Sequence, residues 1–171
     1  MSSANNLVNK PSLIEWGPLR FIIMDAPKES NLHLYLKQCK KSNVSAIVRI
    51  SEPSYSREEV EKSGIALHEM YYPDGHSPPP EIIERWLTVL ADTFDTKGPE
   101  DTPCIAIHCV AGLGRAPVLV AIALIEYGMD AISAVTFIRE RRRGAINTVQ
   151  LNYLESYRPV RKRGDKKCTI M

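Results

Sequence analysis

Two periods of apolar residues alternate along this chain. Short apolar runs rich in β-branched residues read as strands at 13–16 and 19–24, around the turn pair Gly17-Pro18, and again at 44–50, 65–71 and 104–107. Between them, apolar positions recur three or four apart and read as helices. Leu32, Leu34, Tyr35, Leu36 and Cys39 mark one over 31–40, with Ser30 as its N-cap. A short charged helix at 57–62 ends at Gly64. Pro80 and Glu81 open a longer one, striped by Ile82, Ile83, Trp86, Leu87, Leu90 and Phe94, and residues 95–102 follow as a polar loop. Further helical patterns cover 118–127 up to Gly128, 131–141 through Ile132, Val135 and Ile138, and 148–157 with Leu151, Tyr153 and Leu154 inward. Lys37, Lys40 and Lys41, and likewise Arg139, Arg141, Arg142 and Arg143, read as solvated basic faces. Strands alternating with helices predict an α/β fold, a central mostly parallel sheet with helices on both faces. Such sheets bind ligands at the carboxyl ends of their strands.

The 171 residues suffice for one such domain. The pattern divides the chain into a flexible lead at 1–11, the domain at 12–157 and a polybasic tail at 158–171. A net charge of +2 gives no general affinity for nucleic acid. Cys39, Cys104, Cys109 and Cys168 form neither a disulfide framework nor a metal-type pairing, so no metal or cofactor is expected and a reducing compartment fits. The polar N-terminus does not read as a signal peptide, and the apolar run at 118–125 is too short to span a bilayer.

The chemistry concentrates in HCVAGLGR at 108–115, between a strand and a helix. Gly112 and Gly114 permit a sharp turn in which the N–H groups of Val110, Ala111, Gly112, Leu113 and Gly114 converge as an anion nest. The following helix adds the positive end of its dipole. Cys109 would lie at the base of that nest, where groups that bind a phosphate also stabilise a thiolate. Arg115 offers a planar fork to two oxygens of an oxyanion. This is the layout for in-line attack of a thiolate on phosphorus, with donors around the equatorial oxygens. His108 is expected to support the loop from below through its ring nitrogens. A sulfur carrier of the rhodanese type also places a Cys in an anion-binding loop and is the rival on this evidence.

Phosphoryl transfer from an alkoxide or phenoxide gains from a proton donor to the leaving oxygen. Asp74, in the turn-rich stretch YPDGHSPPP at 72–80, is the candidate, with His76 as the alternative. Glu52, in the loop after a strand, is placed to contact Arg115. At the other end of the chain, six basic residues between Arg158 and Lys167 precede Cys168-Thr169-Ile170-Met171, which follows the C-a-a-X prenylation pattern except that Thr169 is not aliphatic. One prenyl chain anchors marginally and a basic run supplies the second signal, so the tail reads as an anchor to an anionic membrane surface.

HCVAGLGRAPVLVA at 108–121, FIRERRRGAIN at 137–147, QLNYLESYRP at 150–159 and the terminal CTIM together resemble the phosphatases of regenerating liver. These are a prenylated branch of the dual-specificity-like protein tyrosine phosphatases. The resemblance covers the chain from about Leu13 to Met171. It implies Cys109 as nucleophile, Arg115 as phosphate-binding arginine and Asp74 as general acid. It implies a phosphoprotein or phosphoinositide substrate, and farnesylated Cys168 at the cytoplasmic face of plasma membrane and endosomes, with cytoplasm or nucleus for the unprenylated form. Binding to CBS-pair domains of membrane magnesium transporters, opposed by cysteine phosphorylation, and a homotrimer are also implied. Most related phosphatases carry Ser or Thr after the signature Arg; Ala116 stands there instead, as in this family, which implies slow hydrolysis of the phosphocysteine. Many members carry a cysteine at the position of Ser51 that pairs with the nucleophile, and Ser51 cannot do so. Pro73 also stands where the family often has a second acidic residue.

Overall fold

The computed structural model describes residues 7, 9–96, 98 and 100–161. Five strands form one sheet: β1 (Ser12–Trp16), β2 (Leu19–Met24), β3 (Val44–Arg49), β4 (Ala66–Glu69) and β5 (Cys104–His108). Their order is β1-β2-β5-β3-β4. Only the β1–β2 hairpin is antiparallel; β2–β5, β5–β3 and β3–β4 are parallel. The helices are α1 (Leu32–Lys41), α2 (Arg57–Lys62), α3 (Pro80–Leu90), α4 (Arg115–Glu126), α5 (Ala131–Arg141) and α6 (Thr148–Ser156).

Strand side chains alternate between two apolar cores. Phe21, Ile23, Val48, Ile105 and Ile107 face the core built with α3, α4, α5 and α6. Ile22, Met24, Ile47, Cys104 and Ala106 face the core built with α1 and α2. Helices therefore cover both faces, as the alternating pattern predicts. Every residue of α4 is buried, in keeping with its apolar character all round. Its neighbour Trp86 fills the space between α3, the sheet and α4, and donates Nε1–H to Leu119 O at 2.7 Å. Among the described residues, no helix is long and apolar enough to cross a membrane.

Several local expectations change. Asn31, not Ser30, occupies the N-cap of α1, and its Oδ1 accepts from the Lys28 N–H at 2.7 Å. The stripe of α3 runs on through Phe94 because a π-helical turn, Ala91–Asp95, continues it. Phe94 meets Phe21 edge-on, centroids 5.6 Å apart. Ile132 is exposed, and α5 buries Ala134, Val135 and Ile138 instead. Arg142 is buried and belongs to no solvated face. Residues 158–161, grouped above with the tail, pack onto the domain: Glu126 at the end of α4 accepts from the Tyr157 hydroxyl at 2.5 Å and from the Val160 and Arg161 N–H groups, both at 2.8 Å. Cys168 and the basic run from Lys162 onward lie outside the described residues.

β5 sits in the middle of the sheet, between β2 and β3, which the chain has laid down earlier. Its carboxyl end is therefore flanked by the loops leaving both neighbours. That is where a doubly covered parallel sheet leaves a crevice.

Candidate active site

The segment 108–115 closes a tight loop between β5 and α4. Its form follows from where its carbonyls go. Cys109 O meets His108 Nδ1 at 2.9 Å, and Val110 O accepts from the Ala26 N–H at 2.8 Å. Ala111 O and Gly112 O both accept from the Arg142 guanidinium, at 3.0 and 2.8 Å. Leu113 O accepts from the Ile146 N–H at 2.9 Å, and Gly114 O from the Val118 N–H at 3.1 Å. Six consecutive carbonyls are thus held, and the donors to four of them, Val110 O to Leu113 O, come from distant parts of the chain. The peptides are all trans, so each N–H opposes its carbonyl and turns toward the inside. The first turn of α4 follows with Gly114 as a cap lacking a side chain, leaving its leading N–H groups for an anion. This is the carbonyl pattern that an anion nest at 110–114 requires.

Arg142 is the strap behind the loop. Besides the two loop carbonyls it reaches Ile23 O at 3.2 Å, Ser12 Oγ at 2.9 Å and Asp25 Oδ1 at 3.1 Å. Gly112 has φ +70°, and a Cβ there would meet Met24 O at 2.7 Å and Arg142 Nη2 at 2.8 Å. Both the turn and the strap therefore require glycine. Ile146 holds φ +64°, an outlier for a β-branched residue, and is fixed by its N–H on Leu113 and by Arg139, whose Nη2 donates to Ile146 O at 2.6 Å. Of the four arginines at 139–143, two therefore shape the loop from behind.

Cys109 is buried at the floor, among the residues of the larger core. His108 supports it as expected from the sequence: the ring is fully buried, and Nε2 lies 2.6 Å from the Tyr55 hydroxyl. Burial pushes the His108 pKa down to about 4 and the Tyr55 pKa up, so both are neutral at pH 7. With Cys109 O accepting from Nδ1–H, Nε2 must accept from Tyr55 O–H. Arg49 lies over the Tyr55 ring, 4.6 Å from its centroid, and donates to Tyr55 O at 2.7 Å. A paired hydrogen bond to Glu69 holds Arg49 in turn, and lowers the Glu69 pKa.

Arg115 is buried. Its Nη1 donates to Tyr72 O at 3.1 Å and its own carbonyl accepts from the Tyr72 hydroxyl at 3.1 Å, locking the guanidinium to the loop after β4. Nε has no hydrogen-bond partner among the described residues. Asp74 Oδ1 lies 3.7 Å from that Nε. The Asp74 side chain is 80% exposed and is oriented by the Gly75 N–H at 3.1 Å, so it hangs over the mouth of the site. The His76 ring meets the Asp74 carbonyl, at 3.3 Å, and lines a neighbouring cavity with Gln150 and Tyr153. It does not share the Arg115 pocket. Glu52 lines that pocket, but Arg115 pairs with Asp74 and not with Glu52. The pocket encloses about 560 Å³ and is also lined by Ser51, Tyr71 and Val110. Ala116, at the start of α4, presents a fully buried methyl group.

The other described thiols are remote from this chemistry. Cys39 and Cys104 face the opposite core, and burial pushes each up to about 12. Neither faces Cys109. Tyr55, Tyr72 and Arg142 carry no local sequence signal of their role: each acts on a residue 30 or more positions away.

The protein-tyrosine phosphatase family model matches residues 25–158. The PRL-1 phosphatase of Drosophila melanogaster is 47% identical over 149 residues, 87% of this chain and 83% of the fly protein. Protein tyrosine phosphatase type IVA 3 of Bos taurus is 42% identical over 174 residues, covering 96% of this chain and 98% of the bovine one. The chain belongs to the type IVA protein tyrosine phosphatases. A solved protein tyrosine phosphatase from Leishmania major superposes with a TM-score of 0.76 at 37% identity, covering 88% of this type IVA chain and 99% of its own. Human DUSP28, at 14% identity and a TM-score of 0.60, shares the fold. The type IVA assignment makes the chain a phosphoric monoester hydrolase acting on phosphorylated substrates. It leaves the sulfur-carrier reading without support.

Proposed function

We propose that this phosphatase works through a cysteinyl-phosphate intermediate on Cys109. The supporting observation is the six-carbonyl arrangement at 109–114, the pattern that a cradle of N–H groups requires, next to a buried cysteine. The Cys109 thiolate attacks phosphorus as the ester oxygen leaves. The loop N–H groups and Arg115 carry the charge on the equatorial oxygens. Asp74, at the mouth and next to Arg115, gives its proton to the leaving oxygen. Water then attacks the phosphocysteine, and Asp74 takes a proton back. Ala116 has no hydroxyl to assist departure of the thiolate, so the second step is slow and the phosphorylated state accumulates. Intact mass spectrometry after mixing with an aryl phosphate tests this: one phosphoryl group per chain, lost in Cys109→Ser. A turning-over enzyme with no adduct at any time would overturn it.

A second reading gives the same loop a binding role, as a surface switched by phosphorylation of Cys109. Val110 and Tyr71 favour it, because they are exposed apolar residues lining the pocket. Its partners, from the family resemblance, are CBS-pair domains of membrane magnesium transporters. Phosphoproteins or phosphoinositides are the substrates of the catalytic reading. The tail adds a farnesyl group at Cys168 and a basic run, holding the domain at the cytoplasmic face of plasma membrane or endosomes, with cytoplasmic or nuclear protein when unprenylated, and a homotrimer as the assembled form. Retention of Cys168→Ser on membranes would refute that anchoring.

A further inference from the structure

Ser51 lies on the pocket floor with a hydroxyl that the fold does not use. It follows Ile50, whose N–H donates to His108 O at 3.0 Å, so Ser51 lies two residues past the end of β3, and the Arg49–His108 register carries Ile50 level with Cys109 and Ser51 one residue further along. Its side chain is 4% exposed, and Oγ has no hydrogen-bond partner among the described residues. It nevertheless lines the pocket shared by Asp74, Val110 and Arg115. A buried hydroxyl without a partner is costly to keep, which points to a partner that arrives with the reaction. Arg115 Nε is in the same condition, and its partner would be a phosphate oxygen. The sulfur lacks such a donor. The first turn of α4, Arg115-Ala116-Pro117-Val118, carries no hydroxyl.

We propose that Ser51 is a catalytic residue of the second step, donating its hydroxyl to the Cys109 sulfur as the thiolate is released. The inference rests on the phosphocysteine reading above. In that step a water oxygen bonds to phosphorus, the S–P bond breaks, and its electron pair returns to sulfur. The water's proton passes to the Asp74 carboxylate. The Ser51 proton is shared with sulfur and stays on Oγ. Negative charge on sulfur grows during hydrolysis and is consumed during the first attack, so the hydroxyl favours release of the thiolate and does not help it attack.

The test is rapid-quench kinetics on the full chain with an aryl phosphate, with intact mass read in parallel. For Ser51→Ala the burst rate constant should stay within about two-fold of wild type. The post-burst rate should fall about ten-fold or more, the size of one hydrogen bond to a charged group, and the adduct should last correspondingly longer. Ser51→Ala combined with Ala116→Ser should recover much of that rate by supplying a hydroxyl from the other side. Equal slowing of both phases would place Oγ on the phosphate or reveal a merely structural role, and would overturn the proposal. An unchanged post-burst rate would also overturn it while leaving the phosphocysteine reading intact. Wild type without an adduct would remove both.

Discussion

Replacing Arg142 by Met keeps much of the side-chain bulk and deletes the strap behind the phosphate loop. A buried carbonyl, Gly112 O, and a half-buried one, Ala111 O, would lose the donors that the structure gives them, and Asp25 would lose its ion pair. Leaving a buried acceptor unsatisfied costs about 1–3 kcal/mol. Two such groups, with partial recovery by entering water, give about 3–5 kcal/mol. For a domain of this size each kcal/mol moves Tm by about 2–4 °C, so the expected fall is about 6–20 °C. The loop should suffer beyond that. Without the strap its carbonyls are free to rotate inward, and the N–H groups no longer converge. Thermal denaturation followed by circular dichroism gives the first number. The burst amplitude at a temperature where the variant is folded gives the second, and it should be well below one per chain. Arg141→Ala and Arg143→Ala are the controls. Both residues are exposed, and each should change stability by no more than about 0.5 kcal/mol. Should Arg142→Met melt within two degrees of wild type with a full burst, the strap argument is wrong.

Three further outcomes follow from the same geometry. Asp74→Asn should slow the burst about 10²–10⁴-fold for substrates whose leaving oxygen is basic and far less for a good leaving group; equal effects on both would remove Asp74 as the acid. Gly112→Ala must place a Cβ 2.7 Å from Met24 O at positive φ, so it should abolish the adduct while the protein remains folded; a normal adduct yield would contradict the loop geometry. His108 titrates at about 4 in the fold and at 6.5 when unfolded, so between those values the unfolded chain binds the extra proton and stability falls as pH drops. The loss is on the order of 3 kcal/mol by pH 4, and His108→Asn should flatten the urea midpoint against pH; since His68 is also lowered, a residual slope is expected, but an unchanged one would refute the assignment.

The strand, loop and helix at 104–126 were legible because each signal is local: a β-branched run, two glycines, then an apolar helix. The nest and the support of the loop by His108 follow from that stretch. What supports the loop from elsewhere was not legible. Nothing distinguishes Arg142 from Arg141 or Arg143 in a run of basic residues; only the packing of α5 beside β1 and β2 turns one of them inward. The same packing leaves Ile132 outside, although its spacing matches the buried stripe. Ser30 and Asn31 are both good caps, and the choice fell to Asn31 because its side chain closes the preceding turn on Lys28. Tyr55 reaches His108 across 53 residues, through the pairing of β3 with β5, which no periodicity encodes. Glu126 falls within the helical pattern at 118–127 with no local sign of a role, yet it is the buried acceptor that fastens residues 160 and 161.

The central claim is that Cys109 carries the phosphoryl group and gives it up slowly. Its most direct test is product release from an aryl phosphate, followed from milliseconds to minutes at enzyme concentrations comparable to substrate. A burst of one product per chain, absent in Cys109→Ser and followed by a much slower steady rate, is the predicted result. Linear release from the first turnover, with no phosphoryl group ever found on Cys109, would contradict it.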